Sequence, residues 1–211
     1  MGNHFQLMNL VIGSMRRHGT SLDEVDQLQM TIDRAVEFTQ AFSQYNQAAA
    51  QFCELDLGEI LRSITQSNNR LFSERRVSFE ALIHESLDGV AMQGDPLLLD
   101  LALGSILQNA LDATKAADRV IFEAKRSTTP SGSVVRISVA DSGRGMEKET
   151  LARAADPFFT LSPERVGLGL SMAMRVVQMH GGILTITSDE GQGTRVEIVL
   201  PLEKSFDHVE R

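Results

Sequence analysis

In the first fifty residues the apolar positions recur at intervals of three and four. Leu7, Met8, Val11, Ile12 and Met15 share one helical face. His18-Gly19-Thr20-Ser21 then interrupts the pattern, with Gly19 as a stop and Ser21 as the next N-cap ahead of Asp23 and Glu24. A second stripe follows through Leu22, Val25, Leu28, Ile32, Val36, Thr39 and Phe42, and no proline stands before residue 52. The spacing predicts a helical hairpin over 1–52. Two helices with wide apolar stripes do not enclose a core by themselves. The hairpin is therefore expected to pair with a second copy as a four-helix bundle across a two-fold axis, the competing arrangement being packing on its own C-terminal domain.

From Leu55 the pattern becomes mixed. Helical spacing is predicted over Leu57 to Leu71, Asp95 to Ala113 and Leu168 to His180. Alternation predicts strands over Val77 to Leu82, Val120 to Lys125, Val134 to Ala140, Ile183 to Thr187 and Arg195 to Leu200. Ser127-Thr128-Thr129-Pro130-Ser131-Gly132 reads as a loop, and Glu190-Gly191-Gln192-Gly193 as a hairpin turn. Helices and antiparallel strands in this order predict a two-layer α/β sandwich over 53–211, making the whole chain α+β.

Composition narrows the function classes. The 211 residues are 42% hydrophobic and 23% charged, a globular balance. No run of 18 apolar residues occurs and the N-terminus lacks a basic-then-apolar signal pattern, so a cytoplasmic chain without membrane contact is expected. A net charge of −8 argues against a nucleic-acid partner, and the lone Cys53 excludes an internal disulfide or a cysteine-based zinc site.

Three features of the second half carry chemistry. Asp141-Ser142-Gly143-Arg144-Gly145-Met146 follows a strand; its carboxylate can accept from an exocyclic amine and its glycines allow close backbone approach, although Asp-x-Gly also marks ordinary turns. Gly167-Leu168-Gly169-Leu170-Ser171 opens a helix, where exposed N–H groups and the dipole favour phosphate. Gln108-Asn109-Ala110-Leu111-Asp112 sets polar residues in an apolar helix; they serve either a buried hydrogen bond or Mg²⁺, which takes oxygen ligands together with substrate phosphates.

The order of these features, with Asp56-Leu57, Gly94-Asp95-Pro96, Pro157-Phe158-Phe159-Thr160, His180-Gly181-Gly182 and Gly191-Gln192-Gly193-Thr194, resembles the catalytic core of bacterial two-component sensor histidine kinases. The resemblance covers nearly the whole chain: a dimerisation and histidine-phosphotransfer hairpin, then an ATP-binding domain of the GHKL (Bergerat) type. It implies that Asp141 reads adenine, that Gly143, Gly145 and Met146 shape the pocket, and that Thr194 lies beside it. Asn109 would hold Mg²⁺, with Asp112 at a polar position of the same box. Phe158 would start a mobile lid over ATP, and Gly167, Leu168, Gly169 and Leu170 would cradle the phosphates. The γ-phosphoryl would pass to a histidine and then to an aspartate on the receiver domain of a response regulator.

The chain departs from that pattern in places. Ser105 stands where the kinases commonly have a second Asn and where related hydrolases have a water-activating Glu; a serine is no base at neutral pH. Only Thr160 to Val166 separates Phe159 from Gly167, and Arg165 occupies a position that often holds glycine, so a stiffer lid with fewer donors is expected. For the phosphoryl acceptor two registers are open. His4 is one candidate, but Phe5 replaces the acidic residue the family favours, and Met8 stands four residues on. In the other register Asn3 is the polar residue four after the acceptor, positions a water for dephosphorylation, and the acceptor precedes Met1. The first helix, at about sixteen residues against about thirty in the second, is expected to be truncated. His18, His84 and His180 read as structural and His208 lies in a polar tail.

A second function class also fits: a degenerate kinase-like dimer that docks a response regulator without using ATP. A serine kinase of the anti-sigma-factor type is a third, for which the hairpin is superfluous. In the kinase and docking readings the regulator would meet the hairpin around Gln6, Asn9, Gly13 and Arg16.

Overall fold

The computed structural model describes residues 51–202 apart from 131, 163, 164 and 166. The predicted hairpin, with His4, Asn3 and the docking face around Gln6, Asn9, Gly13 and Arg16, lies outside the described residues, as does His208. The elements are β1 (Cys53–Asp56), α1 (Leu57–Glu74), β2 (Ser78–Ile83), a 3-10 turn (Glu85–Leu87), β3 (Ala91–Gly94), α2 (Pro96–Ala113), β4 (Arg119–Thr129), β5 (Gly132–Asp141), α3 (Lys148–Arg153), α4 (Gly169–Met179), β6 (Ile183–Asp189) and β7 (Gly193–Pro201).

Both long helices start on an aspartate cap. Asp56 accepts from the Glu59 N–H at 2.9 Å. The Asp95 Oδ1 accepts from Leu97 and Leu98 N–H at 3.0 and 3.2 Å, and Pro96 fills the first helical position, where its missing N–H costs nothing. Asp95 is buried, and its Oδ2 takes the Gln51 N–H at 2.8 Å. Its own N–H donates to His180 Nε2 at 3.0 Å, while His180 Nδ1 lies 2.8 Å from the Val176 carbonyl. A carbonyl only accepts, so the imidazole is the neutral Nδ1–H tautomer. Packed 4.9 Å from the Phe52 ring, His180 ties the end of α4 to the start of α2.

The main sheet runs β2-β4-β5-β7-β6, and β1 pairs with β3 in a separate two-stranded sheet. Two expectations are corrected. The strands are not all antiparallel: β2 and β4 pair in parallel from Ser78↔Arg119 to Ile83↔Ala124, because the connection between them crosses over through α2. The Ser127–Gly132 segment is not an open loop either. The β4–β5 ladder continues to Thr129↔Gly132, where the threonines act as β-formers rather than turn formers.

One face of the sheet is apolar. Val120, Phe122 and Ala124 of β4, Ile137 and Val139 of β5, Val196, Ile198 and Leu200 of β7, and Leu184 of β6 are all buried. The helices α1, α2 and α4 cover this face. From α1, Phe72 stacks on Phe79 of β2 with centroids 4.4 Å apart; from α2, Leu99, Leu103, Ile106 and Leu107 are buried, and from α4, Ala173, Val176 and Val177. The expected two layers are thus a mixed five-stranded sheet under three helices.

Candidate functional site

At one end of the sheet the inner face turns from apolar to polar. The rows Ala124–Ile137–Ile198–Leu184 and Phe122–Val139–Val196–Ile186 give way to Val120–Asp141–Thr194–Ser188, each aligned across β4, β5, β7 and β6. In the last row the Asp141 Oδ1 accepts from the Gly143 N–H at 2.9 Å and from the Thr194 N–H at 3.3 Å. Both bonds fall on one oxygen. Oδ2 has no partner among the described residues, yet no buried side-chain polar atom there lacks one, so Oδ2 faces open space. Burial pushes the Asp141 carboxyl up from its ordinary value; the Gly143 and Thr194 bonds pull it down, and the charge of Asp118 adds to the rise.

The glycines of this region lie in close contact with backbone of neighbouring elements. A Cβ on Gly143 would stand 2.3 Å from the Ala113 carbonyl oxygen, and one on Gly145 would stand 1.9 Å from that of Asp189. The loop is wedged between the end of α2 and the β6–β7 turn: Arg144 donates to Ala113 O at 3.1 Å, and Gly191 donates to Arg144 O at 2.7 Å. On the side where a Cβ would stand, Gly143 and Gly145 are thus closely packed against protein backbone. Met146 follows, half-buried.

One turn back from Ala113, about 6 Å along the helix, stands Asn109. It is exposed, which does not fit the alternative of a buried hydrogen bond. Opposite it, α4 begins: a Cβ on Gly169 would meet Ser105 Cβ at 3.4 Å and Asn109 Nδ2 at 3.8 Å. The glycine segment and the Asn-bearing helix are therefore neighbours. Leu168, at the N-cap, makes no side-chain cap bond, and among the described residues none accepts from the leading N–H groups of α4. Asp112 is half-buried and its Oδ1 takes the Gln108 amide at 3.0 Å, four residues away. Leu168 and Leu170 are half-buried.

Before the glycines, Phe158 is exposed and holds φ +68°, a left-handed conformation that is uncommon for an aromatic residue. Its N–H donates to the Gly167 carbonyl at 2.8 Å, and Gly167 (φ +75°) is so close that a Cβ would lie 2.6 Å from Phe159 O. The Arg153 guanidinium sits 4.3 Å over the Phe159 ring. The segment from 160 to 166, taken by itself, begins with a local turn in which Thr160 Oγ1 accepts from the Ser162 N–H at 3.0 Å.

Sequence reasoning missed Ser188. Its Oγ lies 3.0 Å from Thr194 Oγ1 and 2.9 Å from the Gly193 carbonyl. The only signal available was its strand position opposite Thr194, which requires knowing the register.

The description "Histidine kinase-, DNA gyrase B-, and HSP90-like ATPase" matches residues 94–204, just over half of the chain and all of the site above. The chain belongs to this ATPase family. Within the family it is a histidine-kinase-like catalytic domain related to two-component sensor kinases. The chain is 33% identical over 126 residues to the non-motile and phage-resistance protein of Caulobacter vibrioides, covering 57% of this chain and 15% of that protein. To the sensor histidine kinase ZraS of Escherichia coli it is 29% identical over 148 residues, 70% of this chain and 30% of that one. The chain thus spans less than a third of either relative. In fold it is similar to full-length ShkA, solved in complex with AMPPNP, with a TM-score of 0.66 and 24% identity over 85% of this chain and 38% of that one. Among the described residues of the ATPase domain, no helix is long and apolar enough to cross a membrane.

Proposed function

We propose that residues 53–211 bind Mg-ATP and that, with residues 1–52 as a dimerisation and phosphotransfer hairpin, the chain is the catalytic core of a sensor histidine kinase. The γ-phosphoryl would pass to a histidine, and from there to an aspartate of a response-regulator receiver domain. In the assembled kinase the acceptor is His4 or a histidine ahead of Met1, with Asn3 then placed to orient water for dephosphorylation. The observation that carries the reading is Asp141, a half-buried carboxylate whose Oδ1 is fixed by two backbone N–H groups.

The donor set fits the nucleotide. Asp141 Oδ2 supports acceptance from an exocyclic amine, with Thr194 beside it. The uncapped start of α4 offers N–H groups and a positive dipole end to phosphate. Asn109, exposed beside Gly169, suits a cation that keeps phosphate and water ligands. Among the described residues no group of three His, Cys, Asp or Glu could cage one. Bound Mg-ATP supplies the phosphoryl group and neutralises its charge. The chain's own residues orient the base at Asp141 and hold the phosphates at the start of α4.

Titration calorimetry of Mg-ATP into the chain, beside Asp141→Asn, tests this. Micromolar binding to the wild type that weakens at least about tenfold in the variant supports the reading, since one charge-assisted hydrogen bond is at stake. No binding to either points instead to the regulator-docking module.

A further inference from the structure

The polar row Asp141–Thr194–Ser188 contains a hydroxyl pair whose proton positions follow from its partners. Ser188 Oγ lies 2.9 Å from the Gly193 carbonyl oxygen, and a carbonyl accepts only, so the single Ser188 proton is committed there. The 3.0 Å contact between Ser188 Oγ and Thr194 Oγ1 then needs its proton from Thr194. With that proton used, Thr194 presents only lone pairs to a ligand. Its neighbour Asp141, Oδ1 already taken by Gly143 and Thr194 N–H, likewise presents an acceptor through Oδ2. The two side chains that face the open end of the sheet thus accept and do not donate.

We infer that Ser188 is a positioning residue for base specificity: by holding the Thr194 hydroxyl proton turned away from the ligand, it makes the site reject a base edge that presents a carbonyl. The inference rests on the nucleotide reading of this site. A 6-amino purine offers hydrogens to these acceptors. A 6-oxo purine sets oxygen against two acceptors and leaves both unmatched. Ser188 is not placed against the base itself; it acts through its 3.0 Å contact with Thr194. Without it the Thr194 hydroxyl can rotate and donate, and the discrimination narrows.

The test is the ratio of affinities of the full chain for ATP and for inosine triphosphate, each with Mg²⁺, measured by calorimetry. In Ser188→Ala the ratio is expected to fall about three- to tenfold, the range of one neutral hydrogen bond. Ser188→Thr should keep the wild-type ratio. On a Thr194→Val background, Ser188→Ala should leave the ratio where Thr194→Val alone puts it. Should Ser188→Ala fail to fold, Ser188→Cys keeps the volume, donates weakly and carries the same expectation. An unchanged ratio with ATP binding intact overturns the Ser188 role alone, and so does an equal fall on the Thr194→Val background, because a structural loss would not pass through Thr194. A wild type that binds neither nucleotide overturns this inference together with the nucleotide reading.

Discussion

At the scale of single residues the site costs the fold stability. Burial raises the Asp141 carboxyl, so the folded state holds its proton more tightly than the unfolded chain does. The stabilising share of that linkage is fully present below the ordinary carboxylate range and is lost as the pH rises through the raised value. In the absence of ligand, Asp141→Asn is therefore expected to unfold at higher denaturant than wild type at pH 7. That advantage should shrink as the pH falls through the carboxylate range, in paired urea melts from pH 7 to pH 3. The variant that loses nucleotide should thus gain stability, which separates a binding defect from misfolding. Gly193 has no such freedom. With φ +84° and a Cβ that would lie 1.9 Å from the Asp141 carbonyl oxygen, Gly193→Ala should cost about 2–4 kcal/mol of unfolding free energy by urea titration. Because the clash is with Asp141's own backbone, the same substitution should weaken ligand binding.

At the scale of elements, the start of α2 and the end of α4 share one set of polar contacts. The Asp95 carboxylate caps α2 through Leu97 and Leu98 and also receives Gln51, while its N–H is held by His180. Asp95→Ala strips the acceptors from three N–H groups at a buried position. We expect a loss of about 2–3 kcal/mol in chemical denaturation. Asp95→Asn should recover only the helix-cap share, because its amide NH₂ would then face either the cap or the Gln51 N–H. A loss in Asp95→Asn equal to that in Asp95→Ala would show that the Gln51 bond dominates.

At the scale of the molecule, what was legible depended on range. The helices from Leu57 and Asp95 announced themselves through apolar spacing and an aspartate cap, and the alternating strands through period two. The four-residue strands Cys53–Asp56 and Ala91–Gly94 did not, being too short to show a period. The parallel pairing of β2 with β4 was hidden because alternation says nothing of direction. The site was legible where chemistry is local: Asp141 with Gly143, Asn109 in its helix, the glycines ahead of α4. It was illegible where it depends on register. Ser188 is an unremarked serine in a strand until β6 is laid against β7, and the close packing of Gly145 on Asp189 is equally invisible before that.

The row Asp141–Thr194–Ser188 comes from three strands, and its first hydrogen-bonded pair is separated by 53 positions in the sequence. A shift of one position between β5 and β7 would turn Thr194 to the far face and leave the carboxylate without its second donor. No fragment of the domain can therefore display this row; it exists only after the last hairpin has docked. Anything that binds there inspects the finished sheet, and by occupying it draws late, loosely paired forms of the chain toward completion.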